Sequence, residues 1–190
     1  VFSSNDGGAN WVQAKGLDVN RVSPFAILQD SVENNKLYLG TNLGIFRSLN
    51  RGLSWTPVTY PAPPKKPAAR TVRGRRGAPA AKAAAKPTGA DAGQELVPIT
   101  SETVKVLVHT QDEKNGILAG TNNGLYRTYN IAKGWEKITF GEGIDHNVFA
   151  IAASPLVPGT IWVGTAMSGV IVSEDNGETW RKVDATPKNI

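Results

Sequence analysis

The sequence predicts an all-β chain built from a repeated four-stranded unit. Three observations carry that prediction. Four tryptophans stand behind similar octapeptides at a constant spacing. A Gly-Thr turn precedes each of the last three octapeptides. The chain between these marks is a series of short apolar runs bounded by Gly, Asn, Asp and Pro, with no helical period.

The octapeptides follow the pattern Ser/Thr-x-Asp/Asn-x-Gly-x-Thr/Ser-Trp. Ser4, Asp6, Gly8 and Trp11 form the first. Ser48, Asn50, Gly52 and Trp55 form the second. Thr128, Asn130 and Trp135 form the third, which departs from the pattern at Ala132 and Gly134. Ser173, Asp175, Gly177 and Trp180 form the fourth. The tryptophan-to-tryptophan steps are 44, 80 and 45 residues, and a 36-residue basic stretch at 61–96 accounts for the long one. Each box is expected to be the hairpin turn between a third and a fourth strand. Its hydroxyl and its Asp or Asn oxygen accept N–H groups that a tight turn leaves unpaired. Its glycine supplies a positive φ, and its tryptophan opens the last strand and buries a large ring. Trp55, Trp135 and Trp180 are expected to be buried at equivalent places.

Taken in order, residues 1–20 hold a partial unit, with a last strand at 11–13 and a connecting loop. Residues 21–60 hold the first complete unit: FAILQ, KLYLGT, GIFRS and SWTPV. Residues 101–141 hold the second: VKVLVH, ILAGT, GLYRT and GWEKI. Residues 142–190 hold the third, with a tail: VFAIAAS, IWVGT, GVIVS and TWRKV. The first strand of each unit is apolar on both faces, as a sheet stacked between two others requires.

Residues 61–100 are a Pro/Ala-rich basic insertion and connecting loop. The stretch 61–96 carries eight Lys or Arg and two acids, a charge of +6, so the other 154 residues carry −1 against a chain total of +5. With almost no bulky apolar residue, this stretch is expected to be disordered. No aromatic residue interleaves its charges to stack on bases, so nucleic acid is not the expected partner.

Box, period and Gly-Thr turn together resemble the BNR, or Asp-box, repeat of β-propellers. The resemblance covers the chain outside 61–96. It implies an all-β propeller segment of three four-stranded antiparallel blades plus a partial blade. Closed propellers have about four to eight blades, so the segment is expected to belong to a larger propeller whose other blades are its first partners. The same repeat occurs in sialidases, xyloglucanase-type glycoside hydrolases, sortilin-type receptors and photosystem II assembly factors. It also implies that the boxes lie at the blade periphery and are structural. Fold alone does not transfer function.

Candidate chemistry is sparse. On the face where propellers usually bind ligands, Gly16-Leu17-Asp18 and Gly143-Ile144-Asp145 occupy equivalent loops. Asp18 and Asp145 are the candidate catalytic pair, as a glycoside hydrolase needs two carboxylates. The alternative is a recurring turn, with Leu or Ile plugging the gap between blades and Asp capping backbone N–H groups. Arg47 and Arg127 are equivalent in their blades, but Val172 breaks the series that a three-arginine carboxylate clamp would need. The lone loop histidine His146 adds nothing specific. The chain has no cysteine and two histidines, His109 and His146, which excludes disulfides, thiol chemistry and Cys- or His₃-ligated metal. No cofactor motif occurs. No run approaches the about 18 apolar residues of a membrane span. The function expected is a non-catalytic scaffold or recognition segment of a secreted or periplasmic bacterial protein, with a protein or glycan ligand on the propeller face. The alternative is a fragment of a BNR-type glycoside hydrolase.

Overall fold

A computed structural model of the chain describes residues 1–61 and 96–183. The basic stretch expected to be disordered therefore lies, apart from its two end residues, outside the described residues, as does the tail beyond 183. Every element among the described residues is a β-strand.

A short N-terminal hairpin comes first: β1 (Phe2–Ser3) pairs antiparallel with β2 (Val12–Gln13). The sequence predicts one strand for this unit. The structure corrects it to two, because the first box is itself a hairpin turn and needs a strand on each side. Blade 1 is β3 (Pro24–Gln29), β4 (Leu37–Thr41), β5 (Gly44–Ser48) and β6 (Thr56–Pro57). Blade 2 is β7 (Val104–His109), β8 (Ile117–Thr121), β9 (Gly124–Thr128) and β10 (Glu136–Ile138). Blade 3 is β11 (Val148–Ala153), β12 (Ile161–Thr165), β13 (Gly169–Ser173) and β14 (Arg181–Lys182). Each blade is an antiparallel meander in chain order. In every blade the first strand carries a register shift at its start, at Pro24/Ala26, Val104/Val106 and Val148/Ala150.

The blades stack face to face, with β3 against β7 and β7 against β11. Alternation along the strands gives each blade two apolar faces. In blade 1, Leu39 and Phe46 are cross-strand partners and pack with Trp55 toward Val1, Ala14 and Leu17 of the N-terminal segment. Tyr38 and Ile45 point the other way, onto Leu107, Ala119, Tyr126 and Trp135 of blade 2. Leu118 and Leu125 of blade 2 repeat the role of Tyr38 and Ile45, packing onto Ile161, Val163 and Ile171 of blade 3.

The Gly-Thr pair closes the turn between the second and third strands. Thr41 Oγ1 donates to the Gly44 carbonyl and accepts from the Leu43 N–H. Thr121 does the same with Gly124 and Asn123, and Thr165 with Gly169 and Ser168. The glycine is needed because the next blade approaches it. A Cβ on Gly40 would lie 2.8 Å from Val104 Cγ1, and one on Gly120 would lie 2.5 Å from Val148 Cγ1.

Candidate functional site

Three of the boxes adopt one turn. Ser4, Ser48 and Ser173 each accept, through Oγ, the N–H of Gly8, Gly52 and Gly177. Each serine also donates to the Oδ1 of Asp6, Asn50 or Asp175. That oxygen then accepts the N–H of Asn10, Ser54 or Thr179. Each tryptophan closes the loop by donating Nε1–H to the box glycine carbonyl. The glycines sit at φ of 93°, 83° and 88°. The third box has Ala132 at this place and forms a different turn. Thr128 Oγ1 donates to the Gly134 carbonyl, and Trp135 Nε1–H turns to the Tyr60 hydroxyl.

These bonds set the electrostatics of the boxes. The Asn10 backbone N–H, its side-chain amide and the Ser4 hydroxyl hold the Asp6 carboxyl down at about 2. The Thr179 hydroxyl, the Thr179 N–H and the Ser173 hydroxyl hold Asp175 at about 2. Both carboxylates are committed as acceptors, which suits a turn clasp rather than acid–base chemistry.

The depth of each tryptophan depends on the blade before it. Trp55 and Trp135 are buried, and Trp180 is partly buried in a T-shaped contact with Phe140 at a centroid distance of 5.0 Å. Trp11 makes the same turn bonds but is 62% exposed, because among the described residues no sheet lies beneath it.

Asp18 and Asp145 occupy equivalent turns and are not brought together by any shared bond. Asp18 Oδ1 accepts the N–H of Asn20, and Asp145 Oδ1 accepts that of Asn147. The second oxygen of Asp145 accepts the Met167 N–H. Leu17 packs into the interface between the N-terminal segment and blade 1, and Ile144 into that between blades 2 and 3. The geometry is that of a plugged and capped turn. Among the described residues, no group of three or more His, Asp or Glu is placed to hold a metal ion.

The two equivalent arginines differ. Arg127 Nε and Nη2 fork onto the Glu136 carboxylate at 3.0–3.1 Å, and Nη1 donates to the Asn176 carbonyl of the next box at 2.6 Å. Arg47 faces Thr56 across the strand pair where Arg127 faces Glu136. The repeat aligns the two arginines in the sequence, but their cross-strand partners follow from strand register. Reading the repeat one strand further, at Thr56, Glu136 and Arg181, exposes the difference.

No family model and no curated protein matches the sequence. Solved structures do. An ancestral GH74 enzyme aligns with a TM-score of 0.64 at 18% identity over 98% of this chain and 21% of its own. YCF48 from Cyanidioschyzon merolae aligns with a TM-score of 0.51 at 13% identity, covering 84% of this chain and 36% of that one. The extracellular domain of a hybrid two component system from B. thetaiotaomicron aligns with a TM-score of 0.50 at 16% identity, covering 83% and 16%. The chain thus spans between about a sixth and about a third of the length of these structures. Likeness at such identities speaks for fold, and together with the stacked meanders and their repeated turns it makes this chain a run of β-propeller blades.

Proposed function

We propose that this chain is a non-catalytic scaffold and recognition segment of a larger propeller, working outside the cytoplasm. The observation that carries the reading is the face of blade 3, which nothing covers among the described residues. Tyr38 and Ile45 are 3% and 2% exposed, and Leu118 and Leu125 are both 0%. Trp162 and Val170 hold the same register positions in blade 3 and are 39% and 46% exposed. Gly164 repeats Gly40 and Gly120, yet its Cβ would meet only Ala150 of its own blade, at 3.2 Å. A face that is apolar and glycine-notched in this way fits a further blade of the same kind. The first strand of blade 1 offers a similar surface on the other side, where Phe25 and Ile27 are exposed. Likeness to the extracellular domain of a two component system supports a place outside the cytoplasm.

A second reading, a fragment of a glycoside hydrolase, draws on the likeness to a GH74 enzyme. It needs two free carboxylates flanking a bond. Both oxygens of Asp145 accept backbone N–H groups and one oxygen of Asp18 does, which favours the scaffold. Reducing-sugar release from polysaccharides by the protein carrying this chain separates the two. The scaffold reading expects none above the blank. Release that disappears in Asp18→Asn or Asp145→Asn would establish the hydrolase instead.

A further inference from the structure

Each blade turns one apolar face toward the blade after it and the other toward the blade before it. Inside the chain the two kinds of face meet in a constant way. Val1 of the N-terminal hairpin packs with Phe46 and Trp55 of blade 1. Tyr38 and Ile45 of blade 1 pack with Tyr126 and Trp135 of blade 2. Leu118 and Leu125 of blade 2 pack with Ile171 and Trp180 of blade 3. The receiving pair is in each case the residue two places before a box Ser or Thr, together with the box tryptophan.

One face of each kind is left over among the described residues. On blade 3, Trp162 and Val170 hold the places of Tyr38 and Ile45 and are exposed. At the other end of the chain, Phe2 stands two places before Ser4, and Trp11 is the tryptophan of the same box. They are the receiving pair of the N-terminal hairpin. They are 61% and 62% exposed, where Tyr126 and Trp135 are 2% and 0%. Tyr38 lies beside Thr128 and Ile131 of the third box, so Trp162, at the same place in its blade, faces the box of whatever blade it meets. The chain thus carries both halves of an interface that it already forms at its internal junctions.

We propose that blade 3 docks on the N-terminal hairpin of a second copy of this chain, with Trp162 and Val170 of one copy packed against Phe2 and Trp11 of the other. The contact continues the stacking of blades 1, 2 and 3 across a chain boundary. Exposed apolar faces of this kind mark interfaces, and tryptophan is a residue that carries their energy. Two such contacts close a ring of two copies about a two-fold axis, the commonest symmetry of homo-oligomers. Each copy brings three complete blades and one half blade. The ring therefore stays within the about four to eight blade positions of closed propellers. The proposal rests on the reading of the blade 3 face as the seat of a further blade, and it names the source of that blade.

The test is sedimentation equilibrium of the whole 190-residue chain, unaltered and in two variants. Trp162→Ser with Val170→Ser spoils the blade 3 face. Phe2→Ser with Trp11→Ser spoils the hairpin face. The unaltered chain is expected to reach twice its own mass and no more. Each variant alone is expected to associate about tenfold more weakly or worse. An equimolar mixture of the two variants still holds one intact face of each kind, and is expected to dimerise more tightly than either variant by itself. A variant that failed to fold could not restore association, so recovery in the mixture also reports folding. If the hairpin variant associates as the unaltered chain does, blade 3 docks on another blade 3; the proposal then falls while the reading of a missing neighbour stands. No recovery in a mixture of variants that circular dichroism shows to be folded overturns the proposal as well, and growth beyond two copies overturns the closed ring. A strict monomer in the unaltered chain overturns both the proposal and the reading beneath it.

Discussion

Trp135 donates its indole N–H to the Tyr60 hydroxyl at 3.0 Å, reaching from the third box across to the strand end of the preceding blade. In the other boxes the indole bonds to its own turn glycine. Ala132 stands where those boxes have glycine at positive φ, so the third turn opens differently and its tryptophan uses a neighbour instead. Burial and the bond to Trp135 raise and lower the Tyr60 hydroxyl pKa respectively, and burial prevails.

Tyr60→Phe leaves the Trp135 N–H buried without an acceptor. The expected cost is ~1–3 kcal/mol in chemical denaturation. Trp135→Ala empties a fully buried site and is expected to cost ~3–5 kcal/mol, whereas Trp11→Ala, at an exposed ring, should stay within ~0.5 kcal/mol. Equal losses for Trp11 and Trp135 would mean that the preceding blade does not set the depth of the ring.

Gly120 and Gly164 separate close approach from turn chemistry. A methyl on Gly120 meets Val106 Cγ1 and Val148 Cγ1, both at 2.5 Å, so Gly120→Ala is expected to destabilise by ~1–3 kcal/mol. Gly164→Ala has only Ala150 to meet and should cost under ~0.5 kcal/mol in this chain. Thermal melts of both variants decide. A costly Gly164→Ala would show that the glycine serves its own blade and not a following one.

Stability should fall in acid through the box carboxylates. The ordinary carboxyl value is 3.8, and Asp6 and Asp175 are held at about 2 when folded. A depressed folded value stabilises the fold above the unfolded value, and that contribution is lost as pH falls through the folded one. The window is therefore about pH 4 down to about pH 2. Asp175→Asn keeps the turn, since Asn50 makes the same bonds in the second box, but removes one titrating group. Its denaturation midpoint should vary less with pH across that window. A slope identical to that of the unaltered chain would exclude the Asp175 clasp as a source of acid lability.

The uncovered blade 3 face should drive association. Sedimentation velocity of the 190-residue chain is expected to show a concentration-dependent coefficient. Trp162→Ser with Val170→Ser should weaken it severalfold, because both side chains lie on the exposed apolar face. A strict monomer at all concentrations in the unaltered chain would count against a missing neighbour.

The four-stranded unit, its period and its boxes were legible from single residues, because the backbone demands are local. A tight turn needs Ser or Thr to accept N–H groups and glycine to take positive φ, and each strand needs its own short apolar run. Asp18 and Asp145 could be placed in equivalent loops for the same reason. Only the tertiary structure decided what each repeat position does. Whether a tryptophan is buried, as at Trp135, or open, as at Trp11, depends on a sheet more than 40 residues away in sequence. The strand at Phe2–Ser3 is not legible because two residues show no alternation and, unlike Val12–Gln13, they follow no box tryptophan. Arg47 and Arg127 look alike in sequence. They differ because cross-strand register sets one against Thr56 and the other against Glu136, and register is a property of paired strands, not of either strand alone.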